Sequence, residues 1–208
     1  MTSANPSEGK SVTVANLAVA VAQTDKEVLL IDADMRKPVQ HKCFRLSNKV
    51  GLSDVITGDK PLDKALNRNV TGSLDVLTSG TIPPNPSELL ASRQMKELLE
   101  TLKERYDMIL IDCAPINVVS DVAGLSQEIA GVVMVVHYGS TTYPELDDAV
   151  NRLALANCNV LGFAVNEVSS KHGSGYYSNY KYKYKYKYDY QYGSAKQAEE
   201  KKKAGSAC

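Results

Sequence analysis

The sequence predicts an α/β fold, a mostly parallel sheet covered by helices on both faces. Three observations predict it. Short continuous apolar runs recur along the chain, segments with helical patterning separate them, and several of the runs end in a polar or charged residue. Strands buried on both faces read as unbroken apolar runs, and helices between them supply the crossovers that parallel pairing needs. The 208 residues, 43% apolar, suffice for one such domain with a sizeable core.

In chain order, Ser11–Gln23 reads as a helix and Val28–Asp32 as a buried strand, Val-Leu-Leu-Ile running into an aspartate. Leu74–Leu77 is a shorter strand candidate. Pro86–Arg105 reads as a helix, Met108–Asp112 as a strand and Ser120–Gln127 as a helix. Val132–Val136 and Val160–Val165 are further strands, with a helix over Thr142–Ala156 between them. Ligands of such sheets bind at the carboxyl ends of the strands, so the polar residues that follow the apolar runs are the ones to inspect.

Composition excludes several classes. No apolar run approaches the roughly 18 residues of a membrane span, and no basic segment followed by an apolar run opens the chain as a secretory signal would. Cys43, Cys113, Cys158 and Cys208 form no CxxC pair, which argues against a disulfide framework or a zinc site. Cys113 and Cys158 stand in apolar contexts and are expected to be buried. His41, His137 and His172 are scattered. Zero net charge hides an asymmetry: residues 176–208 carry eight Lys against three acids, and residues 1–175 carry 16 Lys/Arg against 21 acids. An acidic body with a basic tail favours attraction between the two, within one chain or between copies. The tail also fits anionic lipid or nucleic acid, and charge alone does not choose.

Three places carry chemistry. Ala4-Asn5-Pro6-Ser7-Glu8-Gly9-Lys10-Ser11, directly before a helix, fits the phosphate-binding loop with Ala in the first Gly position. In such a loop backbone N–H groups and the helix N-terminus wrap a phosphate, the lysine reaches the β/γ-phosphates and the hydroxyl reaches Mg²⁺. Gly9 lets the backbone pass close to the anion. Next, the strand Val28–Asp32 runs into Asp32-Ala33-Asp34-Met35-Arg36, where the two acids point the same way along an extended chain and suit metal holding or proton acceptance. Last, Met108–Asp112 delivers one aspartate to a strand end, the Walker B arrangement. All three put polar groups on one edge of one sheet, which makes the fold P-loop-NTPase-like and the ligand a nucleotide.

These motifs, with Gly51-Leu52-Ser53-Asp54-Val55, Gly58, Pro83-Pro84-Asn85-Pro86-Ser87-Glu88-Leu89-Leu90 and the closing tyrosines, make the chain resemble the bacterial tyrosine kinases of capsular and exopolysaccharide biosynthesis, P-loop proteins unrelated in fold to eukaryotic protein kinases. The resemblance implies an ATP- and Mg²⁺-dependent autokinase. Lys10 would neutralise the transferring γ-phosphoryl, Ser11 would ligate Mg²⁺, and Asp32, or Asp34 beside it, would orient or deprotonate the tyrosine hydroxyl and help hold the metal. Asp112 would support Mg²⁺. Ser7, Glu8, Gly9, Lys10, Ser11 and Val12 would form the nucleotide cradle, Arg36 would order the strand end or meet a neighbouring subunit, and Asn166 is the candidate on the adenine side. The implied setting is cytoplasmic, peripheral at the inner face of the plasma membrane under a transmembrane activator or polysaccharide co-polymerase, in a homo-oligomeric ring, with no nucleic acid.

Two departures from the family pattern bear on this. Ser7 stands where the family loop has Gly, and it costs roughly 1 kcal/mol if the position needs φ > 0. The family loop also follows a strand preceded by a helical segment used in ring assembly, whereas Met1 stands just before Ala4. The expectation is an N-terminally truncated chain whose first strand is missing, with a kinase domain over 1–170 and a flexible tail over 171–208.

In the tail, Tyr176, Tyr177, Tyr180, Tyr182, Tyr184, Tyr186, Tyr188, Tyr190 and Tyr192 are the expected phospho-acceptors, alternating with lysine from Tyr180 to Tyr188 and then with Asp189 and Gln191. Two other readings compete. A partition or septum-positioning ATPase would share the loop, but such proteins usually carry an extra Lys early in it, and Ala4–Ser7 has none. A catalytically weak adaptor would be only a substrate of another kinase.

Overall fold

The structure, a computed structural model, describes residues 1–168. Residues Met1–Glu167 form one compact unit. The tail and its nine tyrosines lie outside the described residues.

The sheet is built from seven strands: β1 (Thr2–Ser3), β2 (Val28–Asp32), β3 (Leu66–Thr71), β4 (Leu74–Leu77), β5 (Met108–Asp112), β6 (Val132–His137) and β7 (Val160–Asn166). They pair in two sets, β3-β4-β2-β5 and β1-β6-β7. All pairings are parallel except β3 with β4. Met1 joins the two sets: its ammonium donates to the Ile111 carbonyl, and its own carbonyl accepts from the Cys113 N–H at 2.9 Å. The working order is therefore β3-β4-β2-β5-β1-β6-β7. A strand does stand before the phosphate loop, where the sequence reading expected none, and it is two residues long.

Helices α1 (Lys10–Val21), α2 (Gln40–Cys43), α3 (Leu52–Ile56), α4 (Leu62–Ala65), α5 (Pro86–Leu90), α6 (Arg93–Lys103) and α7 (Tyr143–Leu155) cover the sheet, with a 3-10 turn at Asp121–Leu125. The expected helix over Pro86–Arg105 is two helices. Ser92 separates them: its hydroxyl donates to Leu89 O at 2.7 Å, closing α5, and accepts from Met95 N at 3.2 Å, capping α6. The expected helix at Ser120–Gln127 is only the 3-10 turn; α2, α3 and α4 have too few residues to show a helical period, and β3, Leu-Asn-Arg-Asn-Val-Thr, has no apolar run to mark it.

Strand β2 shows how one apolar run serves two cores. Leu29 and Ile31 enter one cluster with α6 residues Leu99 and Leu102, while Val28 and Leu30 enter the other with α1 residues Val14 and Ala18. Alternate side chains of a strand point to opposite faces, so a parallel strand between two helical layers has no polar position until it ends. Hence its first polar residue, Asp32, falls at the carboxyl edge, where the sequence reading expects the ligand.

Burial falls off toward the start of β5. All five residues of β2 are buried, yet Met108 at the start of β5 is exposed and Ile109 and Leu110 are half-buried. Beside them an apolar slot of about 470 Å³ opens between β5 and β6, lined by Met1, Met108, Ile109, Val132, Val133 and Leu161 among others.

Candidate functional site

Between β1 and α1 the chain turns tightly around the start of the helix. Gly9 has φ 88° and Ser7 φ 67°, both left-handed. The loop position where glycine would be at ease has a positive φ, and a serine occupies it. Gly9 is needed twice over: a Cβ there would collide with the Asn166 amide, which donates to Glu8 O at 3.1 Å. Glu8 is buried, and its carboxylate ties the loop together. One oxygen accepts from Asn5 N at 3.1 Å and the other from Thr141 Oγ1 at 2.6 Å, while Thr141 Oγ1 accepts from His137 N at 3.0 Å. The loop is thereby fixed to the β6–α7 connection.

The acids arrive from two strand ends. Asp32 and Asp112 are register partners on β2 and β5. Lys10 Nζ lies 2.9 Å from Asp34 Oδ2 and 3.3 Å from Asp112 Oδ1, and donates to Ser11 Oγ at 3.0 Å. Burial alone pulls the Lys10 ammonium toward neutrality, but Asp112 and Asp34 more than offset it and its pKa lies above the ordinary lysine value. Asp32 makes no bond to Lys10. Its Oδ2 accepts from Val39 N and Gln40 N at 3.1 and 2.9 Å, and its buried Oδ1 has no partner among the described residues. Burial, then the charge of Asp112, raises its pKa to about 7, with the Gln40 N–H opposing.

The expected residues thus divide. Lys10, Ser11, Asp34 and Asp112 meet directly, and Asp32 stands beside them. Asn166 and Glu8 hold the loop from behind. Val12 is exposed next to it. Arg36 is bonded elsewhere: its guanidinium meets Asp121 Oδ2 at 3.2 Å and Ser87 Oγ at 2.9 Å, which orders the strand end against the Pro-Pro-Asn-Pro segment. Gln40 was not legible. Its amide donates to Asp112 Oδ2 at 2.7 Å and to Ser11 O at 3.0 Å, joining the acid to the loop from a four-residue helix with no sequence signal. Thr141 and Asp121 carried no motif either, and Ser87 stood in the Pro-Pro-Asn-Pro-Ser-Glu-Leu-Leu segment without an assigned role.

The residues fit a magnesium-bound triphosphate. The donors are hydroxyl and carboxylate oxygens, the hard ligands Mg²⁺ takes, and the unpartnered Oδ1 of Asp32 is an orphaned buried acceptor that a cation would satisfy. Among the described residues no group of three or more His, Cys, Asp or Glu forms a metal cage. The loop turning into α1 offers N–H donors to an anion.

Comparison with known proteins places this geometry. Residues 7–141 match the family model described as "AAA domain". The tyrosine-protein kinase YwqD of Bacillus subtilis (strain 168) is 46% identical over 179 residues, covering 85% of this chain and 76% of that protein. The tyrosine-protein kinase etk of Escherichia coli (strain K12) is 37% identical over 176 residues, covering 85% of this chain but 24% of that longer protein. Among solved structures, the chimerical protein CapA2B2 superposes with TM-score 0.79 at 38% identity, over 81% of this chain and 75% of the other. The septum site-determining protein MinD of Pyrococcus horikoshii, complexed with Mg-ADP, has TM-score 0.67 at 23% identity over 82% of this chain and 70% of its own, a likeness of fold alone.

Proposed function

The chain belongs to the family of bacterial tyrosine-protein kinases, and from that membership we propose that it transfers the γ-phosphoryl of ATP to tyrosines of its own C-terminal cluster, one copy acting on another. The observation that carries this reading is the position of Lys10. Its ammonium sits at the mouth of the phosphate loop between Asp34 and Asp112, where a γ-phosphoryl and an incoming hydroxyl meet.

The roles follow from the bonds. Loop N–H groups and Lys10 bind and orient the phosphates, and Lys10 neutralises the charge that spreads over the transferring group. Ser11, Asp32 and Asp112 would hold Mg²⁺, which supplies further charge neutralisation and alignment of the phosphates. Asp34 is placed to accept the phenolic proton. Gln40 keeps Asp112 aimed at the loop, and the Glu8–Thr141 bond keeps the loop in shape. Positioning and charge do most of the work, since the reaction asks little covalent chemistry of the protein.

The tail supplies a switch. Each phosphotyrosine adds about −1.5 to −2 charges, so even four would reverse the tail's balance of +5. A tail drawn to an acidic body before modification is repelled after it, and a ring held by such contacts comes apart. Among the described residues no helix is long and apolar enough to cross a membrane. The setting that fits is the cytoplasmic face of the plasma membrane, under a transmembrane activator in a capsular or exopolysaccharide system. Homologues named from such regions support this.

Incubation with ATP and Mg²⁺, probed for phosphotyrosine beside a Lys10→Ala variant, tests the reading. Phosphotyrosine that requires Lys10 is the expected result. ADP release without phosphotyrosine would point to a partition-type ATPase, and neither product to an adaptor.

A further inference from the structure

Gln40 is completely buried beside the phosphate loop, and both of its nitrogens are bonded into the site. Its backbone N–H donates to Asp32 Oδ2 at 2.9 Å, and its Nε2 donates to Asp112 Oδ2 at 2.7 Å and to Ser11 O at 3.0 Å. One residue thus ties together the ends of β2 and β5 and the first turn of α1.

The orientation of this carboxamide is fixed by its partners. Turned over, it would exchange its oxygen and nitrogen. Asp112 Oδ2 and Ser11 O are both acceptors, so only the NH₂ end satisfies them, and its two protons are spent there. The Oε1 therefore points away from both. It is buried and has no donor among the described residues. Buried side-chain oxygens are rarely left so. Asp32 Oδ1 is in the same condition, and the two residues are joined through the Gln40 N–H. Lys10 serves neither oxygen: its three protons go to Ser11 Oγ, Asp34 Oδ2 and Asp112 Oδ1. A water on Mg²⁺ suits such acceptors, because its own oxygen is given to the ion and both of its protons remain to donate. Mg²⁺ sheds its waters reluctantly and keeps several of them when bound.

Resting on the kinase reading only through its nucleotide site, we propose that Gln40 is a positioning residue for the magnesium ion of the nucleotide. Its Nε2 holds Asp112 and the loop at one spacing, and its Oε1 accepts a proton from a water on that ion. Charge explains why an amide stands here. A glutamate would press a second carboxylate against Asp112, and a lysine would add a cation beside the ion. A leucine would leave Asp112 Oδ2 without its donor. A neutral group that donates on one side and accepts on the other serves both neighbours. Supporting partners of this kind around a metal are worth roughly 10–100-fold in its affinity.

The test measures the ADP affinity of the full chain by isothermal titration calorimetry, with Mg²⁺ and with EDTA, and takes the ratio of the two. Gln40→Met keeps the volume and the backbone N–H and removes the amide. Its ratio is expected to fall at least about tenfold below wild type, with the affinity in EDTA within about twofold of wild type. A glutamine that only supports the fold would lower both affinities alike. That result, an unchanged ratio, or a wild-type affinity indifferent to Mg²⁺ would overturn the proposal. If Gln40→Met melts below the assay temperature, Gln40→Asn, whose amide is one methylene short of both partners, is read by the same ratio. Phosphotyrosine formation is scored in parallel. A ratio that falls in a chain that makes no phosphotyrosine removes the kinase reading and keeps the role of Gln40. An unchanged ratio beside phosphotyrosine that requires Lys10 does the reverse.

Discussion

Asp32 and Asp112 face each other as register partners at the carboxyl ends of neighbouring parallel strands, and only one of them is compensated by a cation. Lys10 and the Gln40 amide both bond Asp112. Asp32 has backbone N–H donors on one oxygen and nothing on the other among the described residues. Burial first, and then the charge of Asp112, disfavours the ionised form of Asp32 and raises its pKa to about 7.

That relationship makes a pH prediction. The folded-state pKa of Asp32 is raised from 3.8 to about 7, so its contribution is fully present below the unfolded value and is lost as pH rises through the folded one. The nucleotide-free protein is therefore expected to lose thermal stability between about pH 4 and pH 7, by a few kcal/mol, because each pH unit between the unfolded and folded values is worth about 1.4 kcal/mol. Asp32→Asn should flatten that slope and raise the melting temperature at pH 8, while lowering phosphotyrosine formation at least about tenfold. Melting curves across this range check it; a slope unchanged by the substitution would assign the pH dependence to other groups.

Ser7 pays a backbone cost. At φ 67° an L-residue is strained by roughly 1–2 kcal/mol and glycine is not. The serine is exposed, and its side chain has no hydrogen bond among the described residues that Ser7→Gly would lose. Even after the extra freedom glycine gives the unfolded chain, Ser7→Gly is expected to stabilise by up to about 1 kcal/mol and Ser7→Val to destabilise by more than that. Urea unfolding of the three proteins, with nucleotide affinity measured alongside, reads both effects. Equal midpoints would show that the loop relaxes to accommodate any side chain.

The sequence by itself determined the sheet strands β2, β4 and β5, whose expected and observed limits coincide, and most of β6, β7, α1 and α7. It could do so because a strand buried on both faces must be an unbroken apolar run and a loop that grips phosphate must have glycine and lysine at set places. Lys10, Ser11, Asp34 and Asp112 were legible for the same reason: strand ends and helix starts fix where their side chains begin. Tertiary structure alone decided which acid meets the lysine, that Arg36 turns to Asp121 and Ser87, and that Gln40 and Thr141 complete the site. Those choices depend on loops whose paths are set by hydrogen bonds between residues far apart in the chain, and no local periodicity records them.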